Sequence, residues 1–121
     1  MHHHALSADI QSCIRDCLHC HQECPQTAMG HCLEIGDEHV EPEHFRLMVA
    51  CAEICRTAAA VMMSQVPQHA SVCRACADIC EACAASCATL TGMDACVEAC
   101  QRCAVSCRSM AAAESPHTMA R

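Results

Sequence analysis

Residues 76–87 read CADICEACAASC, residues 96–107 read CVEACQRCAVSC and residues 13–24 read CIRDCLHCHQEC. All three are C-x3-C-x2-C-x3-C. Steps that alternate between three and four residues keep side chains on one face of an α-helix, because neighbours at i+3 and i+4 share that face. The spacing therefore predicts three helices, each carrying a stripe of thiols. A fourth segment follows the same rule with other residues. Counting back from Cys51 and Cys55 in the same register reaches Met48 and then His44, and counting forward passes Ala58 to Met62. The third stripe reaches back through Cys73 to His69, and the fourth runs from Met93 to Met110.

Breakers separate these stripes. GDEHVEPE at 36–43 is acidic and contains Pro42, Val66-Pro67 interrupts the next apolar stretch, Gly92 divides two Cys-rich runs, and Pro116 stops the last. Four helical segments remain, at about 6–35, 43–65, 68–90 and 93–113, rich in helix formers and without period-2 alternation. The expected fold is all-α, a single-domain antiparallel four-helix bundle (1–121) with a Cys-lined core. Pro42 suits a helix first turn, and Asp94 suits the start of the fourth helix. Arg74, Asp78 and Glu81 lie opposite the thiols on the third helix, and Asp94, Glu98, Gln101 and Arg108 do so on the fourth. The Cys faces must then be the buried ones. A second apolar seam, Ile14 with Leu18 and Phe45 with Val49, either packs neighbouring helices or forms an oligomer surface.

Bulk composition makes that core unusual. Leu, Ile, Val and Phe make up only 18 of 121 residues, while Ala contributes 22, Cys 16 and Met 8. Either the chain does not fold, or Ala, Cys and Met build its interior. A net charge of −7 with seven Lys plus Arg and no basic run argues against nucleic acid as a partner. No window approaches the ~18 to 20 apolar residues of a membrane span. MHHHALSADIQ lacks a charged n-region, an apolar h-region and a twin Arg, so the chain is expected to be cytoplasmic, unless His2 to His4 are a tag remnant replacing a native leader.

Three uses of a thiol-lined core can be weighed. As packing, Cys buries little apolar area, and Leu would stabilise better. As a disulfide framework, partners at i+3 or i+4 on one helix close almost no loop, and no secretion signal supports cross-helix bridges. Metal binding explains what the others leave over. Structural zinc takes a tetrahedron, usually from loops that wrap the ion, and iron–sulfur motifs also sit on loops. Cu(I) is soft, prefers thiolate and thioether, and accepts two or three ligands, so a C-x-x-C or C-x3-C pair on one turn can hold it. The expected ligands are Cys13, Cys17, Cys20, Cys24, Cys32, Cys51, Cys55, Cys73, Cys76, Cys80, Cys83, Cys87, Cys96, Cys100, Cys103 and Cys107, for several Cu(I) ions per chain. Alternatives are a zinc or mixed-metal thiolate buffer and a thiol redox protein, the latter requiring an exposed low-pKa Cys. No Gly-rich phosphate loop and no Ser/His/Asp set is present, so no enzyme is expected.

The chain resembles the Cys-rich four-helix-bundle copper storage proteins, bacterial proteins that bind many Cu(I) ions inside the bundle. The resemblance covers about residues 8–112 and rests on CIRDCLHCHQEC, FRLMVACAEICRTAA, VCRACADICEACAASC and CVEACQRCAVSCRSMAA. It implies a cytosolic homotetramer that stores copper and exchanges it with a copper chaperone or exporter. Two departures stand out. Pro25, Gly30 and a one-residue shift interrupt the first row before Cys32, with Thr27 and His31 in the expected register, which predicts a bend or bulge. His44 stands where the family more often has Cys, and is read as a ligand at the bundle's end. Met48 and Met93 are read as thioethers that pass incoming Cu(I) inward. Met110, His31 and His69 are each either ligands or structural. His19, His21 and His39 are expected in solvent, and His117 in the tail.

Overall fold

The computed structural model describes residues 6–119, with side chains described through residue 112. His2, His3, His4 and the side chain of His117 lie outside that range. Four helices follow one another. Helix α1 (8–35) comprises Ala8–Thr27, a π-helical turn Ala28–Cys32 and a last α turn Leu33–Ile35; α2 is Pro42–Met63, α3 is His69–Ala88 and α4 is Asp94–Met119. A 3-10 turn, Asp37–Val40, bridges α1 and α2. Helix α1 packs against α2 and α4, and α3 against α2 and α4, so the short connections make an antiparallel ring of neighbours.

Local chemistry sets the helix starts. Ser7 caps α1 by accepting from the Ile10 N–H at 3.2 Å. Glu41 caps α2, its Oε1 accepting from the His44 N–H at 2.9 Å, and Pro42 takes the first helical position, where its missing donor costs nothing. Asp94 opens α4. That helix continues past Pro116, where the sequence suggested a stop, to Met119.

The π turn is the predicted bulge, and it decides the fate of Cys32. In α register the positions after Cys24 on the stripe are 27 and 31, yet Ala28 and Cys32 are the fully buried ones. A π turn takes one more residue per turn, so the stripe advances by four and again by four. Thr27 is turned aside to donate to Glu23 Oε2 at 3.0 Å, and His31 points away to the α3–α4 turn.

At the centre of the bundle lies sulfur. Every Cys is free and buried. Ala28, Ala58, Ala59 and Ala77 let the helices approach, and Met48, Met62 and Met93 are the largest fully buried side chains. Of Leu, Ile, Val and Phe, only Ile14 is buried among the described residues; Ile10, Phe45, Leu47, Ile54, Val72, Ile79 and Val97 form a half-buried jacket around the thiols. The outer faces are polar, with Arg108 on α4 reaching Asp78 and Glu81 on α3 at 2.9 and 2.8 Å. Among the described residues no helix is long and apolar enough to cross a membrane.

Candidate metal centre

Because the helices alternate in direction, their stripes meet in layers along the bundle axis. Four groups of sulfur atoms lie within 4.8 Å of one another: Cys13, Cys73 and Cys107; Cys17, Cys76, Cys103 and Cys107; Cys20, Cys55, Cys80 and Cys103; Cys20, Cys24, Cys51 and Cys100. The groups are not separate, since Cys107, Cys103 and Cys20 each belong to two of them. Close contacts extend the row: Cys24 to Cys96 at 3.6 Å, Cys96 to Cys87 at 3.7 Å, and Cys87 to Cys83 at 4.0 Å. At the far end Cys32 Sγ lies 3.8 Å from Met48 Sδ and 3.8 Å from Met93 Sδ.

These spacings suit metal binding without rearrangement. A metal–sulfur bond of about 2.3 Å places sulfurs about 3.8 Å apart in a tetrahedron and about 4.0 Å apart in a triangle. The observed contacts run from 3.5 Å, for Cys17–Cys107 and Cys55–Cys80, to 4.0 Å. All are far longer than the ~2.05 Å of a disulfide.

Without metal, the row must hold protons. Burial, and then the neighbouring Cys96, push the Cys32 thiol up. Hydrogen bonding with Cys107 pulls Cys73 down, but Cys13 and burial outweigh it and push the thiol up to about 12. Groups raised in the folded state favour folding below the unfolded thiol value and lose that contribution as pH rises through the folded one. The melting temperature of the reduced, metal-free protein is therefore expected to fall by several degrees between about pH 8.5 and 12, measured by circular dichroism. The metal-loaded form, its thiol protons already displaced, should not show this fall; parallel curves for both forms would contradict the assignment.

Histidines frame one end of the row. His44 is 6 % exposed; its Nδ1 lies 2.7 Å from Ser86 Oγ, and its buried Nε2 has no hydrogen-bond partner. Burial pushes its pKa down, which keeps the ring neutral and able to ligate. His39, expected in solvent, is buried, and His31 is half-buried: their Nε2 atoms lie 2.9 and 3.0 Å from the same carbonyl, that of Thr91. His21, also expected in solvent, is half-buried against α2, its Nδ1 2.9 Å from the Ala52 carbonyl. In each case a carbonyl on another element captures the ring. His19 is exposed, as expected. His69 and Met110 are buried at the opposite end, near the Cys13–Cys73–Cys107 group on their own helices. Sequence reasoning passed over Ser86, the partner of His44, which no local signal marks.

Comparison with known proteins places the fold. The family model for copper storage protein (Csp) matches residues 6–112. A crystal structure of the Nmul_A1745 protein from Nitrosospira multiformis is 50 % identical, with a TM-score of 0.85 over 87 % of this chain and 96 % of that one. The Cu(I)-bound copper storage protein BsCsp3 is 37 % identical, with a TM-score of 0.77 over 85 % of this chain and 98 % of that one. The apo copper storage protein 3 from Bacillus subtilis is 38 % identical, with a TM-score of 0.70 over 84 % and 97 %. No curated protein sequence matches the chain. A thiol-lined four-helix bundle matched over residues 6–112 thus belongs to the copper storage protein family.

Proposed function

We propose that this chain stores and sequesters Cu(I) as thiolate complexes along the interior of its bundle, without an enzymatic role. One observation carries the reading: the sixteen thiols are all buried and free, and close contacts join most of them into one continuous row. Each ion that binds displaces thiol protons, no electron moves, and about one monovalent ion per thiolate leaves the filled interior near neutral. The proposed ligands are all sixteen Cys, with His44, Met48 and Met93 at the end where Cys32 meets the two thioethers. Burial of every thiol counts against a thiol redox protein, which needs one exposed to its substrate.

The finer assignments follow from the same features. Sixteen free thiols without a disulfide fit a reducing compartment, which supports a cytoplasmic location. The half-exposed Leu18, Met29 and Val49 leave an apolar face on α1 and α2, which supports assembly of copies into a homotetramer. A chaperone or exporter completes the traffic, because free Cu(I) is too strongly held by thiols to move alone.

Titrating anaerobic, fully reduced protein with Cu(I) and weighing the products by native mass spectrometry tests the reading. Saturation at on the order of ten or more ions per chain is expected. Saturation at one to four ions overturns storage, and displacement of Cu(I) by Zn(II) under reducing conditions favours a zinc or mixed-metal buffer instead.

A further inference from the structure

Each of the four sulfur groups takes thiols from both α1 and α4, whereas α2 and α3 are each missing from at least one. The first and last helices of the chain are thus common to every group. Their thiols also meet closely: Cys17 lies 3.5 Å from Cys107 and 3.6 Å from Cys103, and Cys24 lies 3.6 Å from both Cys96 and Cys100. Between α1 and α2 the contacts are longer, 3.8 Å from Cys20 to Cys51 and 3.9 Å from Cys24 to Cys51.

Yet this is the one seam of the ring that no connection closes. Short turns tie α1 to α2, α2 to α3 and α3 to α4, while α4 and α1 are joined only through the rest of the chain. The entropy of bringing distant segments together therefore falls on this seam, and in the metal-free protein its thiols offer only weak S–H donors. Polar side chains tie every seam from outside the sulfur row. His21 of α1 reaches the Ala52 carbonyl of α2, His44 of α2 meets Ser86 of α3, and Arg108 of α4 meets Asp78 and Glu81 of α3. Between α4 and α1 the tie is Ser106, whose Oγ donates to Asp16 Oδ2. Both residues are half-buried, and each precedes a thiol of the closest contact across the seam, Cys17 with Cys107. A hydroxyl given to a carboxylate is the stronger, charge-assisted kind of hydrogen bond.

We propose that Asp16 and Ser106 form a latch that keeps the empty bundle shut along α1 and α4, so that its thiols already stand at metal-binding spacing. They are positioning residues, acting through Cys17 and Cys107. In the metal-free protein the shut seam is in equilibrium with an open one in which the α1 and α4 thiols part, and only the shut form offers Cu(I) a whole group. An ion in any of the four groups spans the seam and takes over from the latch. The cost of closing then falls on the first ions and not on later ones. The inference rests on the storage reading above and adds to it the seam that opens and the bond that shuts it.

Equilibrium competition between the anaerobic, reduced protein and a coloured Cu(I) chelator, followed across the whole titration, reads the latch. Ser106→Ala is expected to bind its first ions about tenfold more weakly, its later ions as tightly as the wild type, and to reach the same saturation count. Ser106→Thr, which keeps the hydroxyl, should restore the wild-type curve. Arg108→Gln loosens a seam that the α3–α4 turn already closes, and should also follow the wild type. In hydrogen exchange, the amides of residues 13–17 and 103–107 should exchange about tenfold faster in empty Ser106→Ala, and at the wild-type rate once it is loaded. Should Ser106→Ala fail to fold, Asp16→Asn, which keeps an accepting oxygen without the charge, carries the same test with a smaller expected shift. Wild-type affinity for the first ions in Ser106→Ala, or equal weakening by Arg108→Gln, overturns the latch. The two readings fail separately: a low wild-type capacity counts against storage, whereas full capacity with an unchanged first-ion affinity in Ser106→Ala counts against the latch.

Discussion

Filling the reduced protein with Cu(I) is expected to raise its melting temperature by more than about 20 °C. The metal-free bundle is held by little apolar burial: its centre is thiol and alanine, and Ile14 is the one buried branched aliphatic or Phe among the described residues. Domains of this size keep only about 5–15 kcal/mol of stability even with ordinary cores. A ligand that binds the folded state alone contributes about 2.7 kcal/mol at a hundredfold excess over its dissociation constant. Four sulfur groups filled to that degree would contribute about 11 kcal/mol, comparable to the whole stability of a typical domain. At about 2 to 8 °C per kcal/mol, that sum exceeds 20 °C. Calorimetry of the empty and loaded forms at one pH and one protein concentration measures the difference. A rise below about 5 °C would mean that the ions sit on the surface and not among the helices.

Removing Cys20 and Cys103, each shared by two sulfur groups, should cost about three times the capacity lost by removing Cys13 and Cys83. Cys20 and Cys103 each belong to two sulfur groups, whereas Cys13 belongs to one and Cys83 to none. Cys20→Ala with Cys103→Ala therefore takes a ligand from three of the four groups, two of them through Cys103 and one group twice over. Cys13→Ala with Cys83→Ala takes one. Sites with common partners do not behave additively, so the paired substitution exposes the sharing. Native mass spectrometry after saturation gives the counts, and the melting temperature of each empty variant shows that both pairs still fold. Equal losses from the two pairs would show that the thiols bind as independent units.

The helices and the inward thiols were legible because a 4,3,4 spacing is a property of the α-helical backbone itself, independent of what surrounds it. The same register drew His44 and Met48 into the stripe of α2, and both are buried there. Legibility fails where the backbone changes period or where partners are remote. Cys32 is one residue out of α register, and only the π turn at Ala28–Cys32 shows that it faces the core. His21 and His39 looked like surface residues, since the carbonyls that hold them, Ala52 and Thr91, belong to other elements. Ser86 faces a histidine 42 residues away, a separation that no local pattern encodes.

The π turn also has a meaning for how the bundle is closed. Geometrically it is an ordinary helix holding one residue too many, and the surplus is absorbed within five residues so that Ala28 and Cys32 stay on the face that Cys24 leaves. Without it Cys32, the last thiol on α1, would stand one residue out of register with the core. Confined as it is, it turns Thr27 toward Glu23 and His31 onto the neighbouring turn, out of the sulfur row. One spare residue thus brings Cys32 to the sulfur core and leaves His31, a would-be ligand, holding the α3–α4 turn through the Thr91 carbonyl.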